Sequence, residues 1–199
     1  MFAVRTSGPR PFILWLFSFL MVFSLALAAQ DSDREKKKEK EEESKKRAKA
    51  GLVDIKGSVR CQKANPSHAI EVPDRPGHAL IIAKRQCTWS EPLVILGGKT
   101  KTGVFVAFFE QMEGQLHPHG YEVDTMDDGE TIAMQTMGYE QAEKPPTVVK
   151  GRFSFTRGTG KYKGLKGGGS YEGQLEADDV MTITLEGVYE PAAMAGGKK

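Results

Sequence analysis

The chain has 199 residues, 22 of them glycine, and its formal net charge is +2. Arg5 and Arg10 lie in an apolar N-terminal stretch without acidic residues, so the rest of the chain carries equal numbers of basic and acidic side chains. This balance argues against nucleic acid as a partner, because nucleic-acid binding needs a net basic surface. The length predicts one domain with additional segments.

Residues 1–29 have the organisation of a secretory signal peptide. Arg5 and Arg10 precede an apolar run from Phe12 to Leu27, and Ala26-Leu27-Ala28 supplies the small residues of a cleavage site. An uncleaved membrane anchor is the alternative, and the leader would then be the chain's contact with the membrane. Both interpretations place the following domain across a membrane. We therefore expect an exported protein, periplasmic or secreted.

Residues 30–50 form a charged, low-complexity linker. Asp31 to Lys49 reads DSDREKKKEKEEESKKRAK and contains no aromatic or large aliphatic residue, so it cannot bury a core. Glutamates lie three or four residues before basic residues, which favours a solvated helix. The mixed charges indicate a spacer, with contact to lipid headgroups or wall polymers as the alternative.

Residues 51–192 form the folded domain, and a flexible tail follows at 193–199. Apolar residues alternate with polar ones in several short segments that Gly, Pro, Asn and Asp separate, which is typical of half-buried β-strands. No segment of the domain shows a sustained helical period. The pattern predicts an all-β domain, and closure into a barrel would protect its edge strands.

The segment from Val104 to Phe109, VFVAFF, is apolar on both faces. It is either a central strand whose outer face is covered by other parts of the chain, or a strand whose outer face forms a subunit interface. The second interpretation predicts a homo-oligomer.

The two cysteines, Cys61 and Cys87, both lie on apolar faces of predicted strands. Outside the reducing cytosol, two thiols in one small domain usually pair, so we expect a structural disulfide. A metal-binding pair and a reactive thiol are the alternatives, although a spaced pair without a CxxC motif is a weak metal signal.

His117 and His119 lie two residues apart, as expected for two imidazoles on one face of a strand that could bind Zn²⁺ or Cu²⁺. Pro118 between them favours an edge or a turn. No third ligand is near in sequence, so we predict surface or cavity-mouth histidines and expect no metal and no cofactor.

The segment from Gly158 to Tyr171, GTGKYKGLKGGGSY, alternates glycines with aromatic and aliphatic residues between two predicted strands. It resembles the characteristic hairpin of the allene-oxide-cyclase-barrel-like proteins, which include the plant cyclases, the dirigent proteins and exported bacterial proteins of unknown function. The hairpin glycines are Gly158, Gly160, Gly164, Gly167 and Gly169. Further matching features are Cys87 to Trp89 with the following Pro92-Leu93, the step from His119 to Tyr121, and Glu186 to Tyr189.

The resemblance covers most of residues 52–190. It implies an eight-stranded antiparallel barrel of the allene-oxide-cyclase or dirigent type, often oligomeric, with an interior cavity in its ligand-binding members. No residue matches the cyclase site, so no catalytic residue is carried over. Glycine also explains the hairpin physically, because sharp bends in a barrel require positive φ.

The sequence contains no catalytic constellation, and whether the protein is an enzyme stays open. The leading prediction is a non-catalytic binding module for a small apolar or amphipathic ligand inside the barrel. Alternation alone predicts which residues line that interior: Tyr121, Met134, Phe153, Phe155, Ile183 and Leu185. The alternatives are an isomerase or cyclase acting by confinement in the cavity, and an oligomeric structural protein of the cell envelope.

Overall fold

The computed structural model describes residues 34, 36–112, 115–141 and 147–191. The signal peptide predicted at 1–29 and the tail predicted at 193–199 lie outside the described residues. Residues 36–49 of the charged linker form an α-helix. Glu41 and Lys45 pair at 3.7 Å on its exposed surface, one turn apart. In the described part of the chain, no helix is both long and apolar enough to cross a membrane.

The described residues of the domain form ten strands and one short 3₁₀ helix. The strands are β1 (Val53–Cys61), β2 (Ser67–Glu71), β3 (Ala79–Glu91), β4 (Val94–Ile95), β5 (Gly98–Met112), β6 (Gln115–Met126), β7 (Thr131–Gln141), β8 (Thr147–Gly158), β9 (Lys166–Leu175) and β10 (Met181–Glu190). The 3₁₀ helix, η1, spans Gly160–Tyr162.

Eight of these strands form a closed antiparallel barrel. Its order is β3-β1-β10-β9-β8-β7-β6-β5, and pairing between β5 and β3 closes the ring. β2 pairs with β3 and β4 pairs with β5, outside the ring. Closure leaves each barrel strand hydrogen-bonded on both sides, which removes the exposed edges of an open sheet. The predicted eight-stranded barrel is confirmed.

Alternation places the core inside the barrel, as the sequence pattern predicted for most strands. In β1, Ile55, Val59 and Cys61 are buried, and their neighbours Lys56 and Arg60 are exposed. The same period of two buries Ala83, Cys87 and Trp89 in β3, Ile132 and Met134 in β7, Phe153 and Phe155 in β8, and Met181, Ile183, Leu185 and Tyr189 in β10.

β6 departs from this rule, because polar residues face the interior and apolar residues face outward. Glu122 and Asp124 are 6% and 0% exposed, whereas Tyr121 and Val123 are 51% and 45% exposed. The prediction that Tyr121 lines the interior is therefore wrong. Successive side chains of a strand point to opposite faces, so burial of Glu122 forces Tyr121 outward.

Aromatic and aliphatic side chains close one end of the barrel, where β1 begins and β3 ends. Tyr162 of η1 is fully buried there, and its hydroxyl donates a hydrogen bond to Asp128 Oδ2 at 3.2 Å. Leu93, just before β4, and Ile95, the last residue of β4, are also fully buried. The backbone N–H of Leu96 donates to the hydroxyl of Tyr189 at 3.1 Å.

The glycine hairpin supplies this closure. Gly160, Gly164 and Gly167 have positive φ of 49°, 74° and 136°, which only glycine adopts readily. Gly158 is the last residue of β8, and Gly167 and Gly169 lie within β9. β9 begins at Lys166, so the last residues of the glycine segment belong to the strand that was predicted to follow it.

Candidate functional site

A small cavity lies inside the barrel, towards the end where β1 ends and β6, β8 and β10 begin. Its volume is about 30 Å³, and it is partly open to solvent. A cavity of this size holds about one or two water molecules. Most of its lining is apolar, but Glu122 and Thr136 contribute polar atoms. The lining residues are Val59, Cys61, Phe105, Pro118, Glu122, Thr136, Val149, Tyr171, Met181, Ile183 and Leu185.

Glu122 and Asp124 form a buried carboxyl pair beside this cavity. They lie two residues apart on β6, so both point inward. A Cβ added at Gly103 would lie 2.4 Å from Asp124 Oδ1 and 2.9 Å from Glu122 Oε1. The bare backbone of Gly103 in β5 therefore leaves the space in which the two carboxyl groups approach each other.

Trp89 donates a hydrogen bond to the carboxyl pair. Its indole Nε1 donates to Asp124 Oδ1 at 2.7 Å, reaching across β5 from β3 to β6. Trp89 is 7% exposed and Asp124 is fully buried, so the bond is shielded from water. A buried indole N–H usually finds such a partner.

Burial shifts the protonation of both acids. It raises the pKa of Asp124 to about 7, although the hydrogen bond from Trp89 acts in the opposite direction. Burial and then the charge of Asp124 raise the pKa of Glu122 well above its ordinary value. Two carboxylates this close in a low-dielectric interior cannot both ionise easily, so at neutral pH the pair retains a proton.

Three polar atoms at the site have no hydrogen-bond partner among the described residues. They are Glu122 Oε1, Asp124 Oδ2 and Thr136 Oγ1. Glu122 and Thr136 both line the cavity, so two of these residues converge on the same small space. Unsatisfied polar atoms in a protein interior are rare and costly, and they mark places where another molecule completes the bonding.

The cysteines form the predicted disulfide, with the sulfur atoms 2.03 Å apart. Both sulfur atoms lie within 4.8 Å of a carboxyl oxygen of Glu122. No other group of three His, Cys, Asp or Glu ligand atoms in the described chain is close enough for a metal ion. The disulfide engages both sulfurs, so this group is not a metal site in the oxidised protein. A disulfide is compatible with an oxidising, exported location.

We refer to the end of the barrel that contains the cavity as the open end. Arg85 lies inside the barrel near this end and connects two segments there. Its guanidinium pairs with Asp179 in the turn between β9 and β10 and donates to the backbone carbonyl of Gln62 at 3.2 Å. Asp179 also accepts a hydrogen bond from the backbone N–H of Ala64 at 3.0 Å. The positive charge of Arg85 is thus neutralised at the rim, by Asp179.

The sequence-predicted interior residues divide into three groups. Ile183 and Leu185 line the cavity. Met134, Phe153 and Phe155 are buried in the core, away from its lining. Tyr121 lies on the outer surface.

His117 and His119 share the outer face of β6, where both are exposed. The ring of His119 contacts the side-chain amide of Gln135 at 2.7 Å. Among the described residues, no His, Cys, Asp or Glu completes a metal-binding group with them. They therefore belong to the surface and lie away from the cavity.

The sequence analysis gave no site role to Arg85, Glu122, Asp124 or Thr136, although each was visible as a position in a pattern. Arg85 and Thr136 fall in register with inward residues of their own strands. Glu122 and Asp124 alternate with Tyr121 and Val123. An assignment by hydrophobicity places Tyr121 and Val123 inside the barrel and the two acids outside, which is the reverse of the observed arrangement.

No protein-family model matches the chain, and no curated protein matches it. Among solved structures, it is similar to the pterocarpan synthase dirigent protein GePTS1, with 12% sequence identity and a TM-score of 0.40. The match covers 70% of this chain and 88% of that protein. Membership of the allene-oxide-cyclase-barrel-like family stays a prediction.

Proposed function

We propose that the domain is an exported, non-catalytic binding module for a small apolar or amphipathic ligand. The observation that carries the proposal is Glu122 Oε1, a buried atom without a partner among the described residues, in a residue that lines a mostly apolar cavity. A few polar groups in an apolar recess are typical of small-molecule sites. The polar end of the ligand would lie at Glu122 and its apolar part against Val59, Ile183 and Leu185.

The size of the cavity limits which part of a ligand it can hold. A volume of about 30 Å³ accommodates only the polar head of a ligand. The rest of the ligand would extend towards the open end of the barrel and displace side chains there. Met181 lies on this path and is unbranched, so it adapts its shape more readily than the branched residues around it.

Native mass spectrometry of the purified full chain tests this proposal. We expect a small molecule to co-purify with the barrel or to bind from a panel of small apolar compounds. Val149→Phe fills the cavity and should abolish binding, whereas Val148→Phe adds the same ring on the outer face of β8 and should not. Circular dichroism confirms that both variants are folded. Equal binding by the two variants would place the ligand elsewhere.

An isomerase or cyclase acting by confinement is a second candidate. The acid with a raised pKa at the cavity, Glu122, favours it, because such acids cluster at catalytic sites. Chromatography of the released ligand distinguishes the two functions, because an isomerase gives a product of unchanged mass but of different retention. A bound molecule that is recovered unchanged after incubation supports a binding module, and conversion that Glu122→Gln stops supports the enzyme.

An oligomeric envelope protein is the third candidate, supported by one side of the barrel surface. Exposed apolar residues on β3, β5, β6 and β7 are neighbours there: Phe108 pairs with Ile82 and Val106 with Tyr121, and His119 lies between Phe108 and Met137 of β7. We refer to the exposed residues Ile82, Val106, Phe108, Tyr121, Val123 and Met137 as the apolar outer face. Such patches mark interaction sites on soluble proteins.

Oligomer mass tests this candidate. Val106→Arg places a charge at the centre of the apolar outer face and should convert an oligomer into a monomer. Val53→Arg changes a valine of similar exposure on β1 and should leave the mass unchanged. A wild-type monomer at high protein concentration would remove the candidate.

A further inference from the structure

The buried carboxyl pair has little positive charge to balance it within the described barrel. Residues from four strands lie around it: Cys61 from β1, Cys87 and Trp89 from β3, Gly103 and Phe105 from β5, and Thr136 from β7. Trp89 gives a neutral donor, to Asp124. The inward-facing cation of β3, Arg85, is directed to Asp179 and to the carbonyl of Gln62 instead.

Buried carboxyl groups without a cation are stabilised either by a proton or by a positively charged ligand. A proton neutralises one charge but leaves the oxygens that face the cavity without donors. A primary ammonium group is compact and carries three N–H donors. It could donate to Glu122 Oε1 and Thr136 Oγ1 at once, and its head is about the size of the water molecules for which the cavity has room.

The open end of the barrel carries acidic residues that favour the entry of a cation. Glu176, Asp178 and Asp179 lie between β9 and β10, next to Met181 of the cavity lining. Asp179 pairs with Arg85, so the net charge of this group is negative. An acidic rim raises the local concentration of cations and lowers that of anions.

We propose that the cavity recognises a small primary amine with an apolar chain, with its ammonium group held by Glu122 and Thr136. This inference rests on the proposed binding function and names the chemical class of its ligand. The carboxyl pair supplies the negative charge, and the apolar lining contacts the carbon chain. Amine binding displaces the proton that the pair retains at neutral pH.

Isothermal titration of the purified full chain with butylammonium, butanol and butyrate tests the inference, since the three differ only in the polar head. We expect butylammonium to bind at least about tenfold more tightly than butanol, because hydrogen bonds to charged groups are stronger than neutral ones. Butyrate should bind most weakly. Titration in two buffers of different ionisation enthalpy should show release of up to one proton per amine bound at pH 7.

Variants assign the effect to the site. Glu122→Gln should reduce amine affinity to that of butanol, and Thr136→Val should weaken it by a smaller factor. Glu172→Gln makes the same change on the outer face of β9 and should have no effect. Retention of the amine preference in Glu122→Gln would overturn the inference.

The outcomes separate this inference from the proposed function. If butanol binds as tightly as butylammonium and Val149→Phe abolishes both, the barrel is a binding module without preference for amines. If amine binding survives in Val149→Phe, the cavity is not the site and the inference fails. If none of the three compounds binds, the amine inference fails, and the mass-spectrometric screen still decides whether the cavity takes another ligand.

Discussion

Trp89 contributes to the barrel through its N–H as well as its ring. The bond to Asp124 Oδ1 is short at 2.7 Å and shielded from water. Trp89→Phe removes the donor and keeps most of the ring. We expect the free energy of unfolding to fall by about 1.5–3 kcal/mol at pH 8.5, where Asp124 is largely ionised, because bonds to charged groups lie in this range.

Urea denaturation followed by circular dichroism measures this loss. At pH 5.5 Asp124 is mostly protonated, so the loss should be smaller there. In an Asp124→Asn background the change from Trp89 to Phe should show no dependence on pH. A loss that is equal at both pH values in the wild-type background would assign the effect to packing of the ring.

The carboxyl pair also makes stability depend on pH. Burial raises the pKa of Asp124 from 3.8 to about 7 and raises the pKa of Glu122 above 4.5. The folded chain therefore binds more protons than the unfolded chain between these limits, and linkage requires stability to fall as pH rises. The contribution is complete below the unfolded pKa values and is lost as pH passes through the folded ones.

We expect the free energy of unfolding to decrease from pH 5 to pH 8, by up to about 1.4 kcal/mol per pH unit for each proton involved. Glu122→Gln should flatten this slope. Asp74 and Asp128 have lowered pKa values, so their contributions to the free energy of unfolding change only below about pH 4, outside this pH range. An unchanged slope in the double variant Glu122→Gln, Asp124→Asn would contradict the assignment.

At the scale of elements, η1 gives the closed end of the barrel a large part of its packing. Tyr162 is fully buried, and Leu165, three residues later, is 5% exposed. Tyr162→Ala should lower the free energy of unfolding by about 3–5 kcal/mol, the range for large aromatic residues in cores. Tyr139→Ala, at a tyrosine 49% exposed on β7, should cost much less. Urea denaturation of the two variants checks this difference, and similar losses would mean that η1 does not close the end.

The elements also show how much of the fold the sequence could predict. Strands with one apolar and one polar face, such as β1 and β10, were assigned correctly because burial follows the period of two. β5 was predicted to be apolar on both faces, and the described residues leave its outer Val106 and Phe108 exposed. In β6, Tyr121 was assigned to the interior but faces outward, because the buried residues of this strand are the acids Glu122 and Asp124.

The candidate site could not be predicted, for the same physical reason. Glu122 and Asp124 are held inside by contacts from other strands, namely the donor of Trp89 and the space over Gly103. These residues are distant in sequence, and their proximity depends on the barrel register. The disulfide was predicted because two thiols in one small exported domain usually pair, and this argument does not depend on the strand register.

At the scale of the whole molecule, the barrel has two different ends and two different sides. One end is filled by Tyr162 and its neighbours, and the cavity that Glu122 lines lies towards the other end. The apolar outer face lies on β3, β5, β6 and β7. On the opposite side, polar pairs such as Lys56 with Glu186 and Lys150 with Glu172 cover β1, β8, β9 and β10. A ligand and a second copy of the chain would therefore use different surfaces.

The disulfide stabilises the barrel at its shortest seam. β1 and β3 pair at four positions, whereas β1 and β10 pair at nine, and Cys61 faces Cys87 at the last position of the short ladder. Reduction reopens a loop whose ends are 26 residues apart, which should cost about 3–4 kcal/mol by loop entropy. Urea denaturation with and without a phosphine reductant measures this difference without changing any side-chain volume.

Hydrogen exchange locates the effect within the barrel. A disulfide that acts only through the unfolded chain raises global stability and slows amide exchange in no particular strand of the folded state. One that also holds the seam protects the amides of Val59, Arg60 and Thr88 from local opening. Because four pairs form a weak ladder, we expect reduction to accelerate exchange at the β1–β3 seam more than between β6 and β7. Uniform acceleration in both places would show that loop entropy alone accounts for the stabilisation.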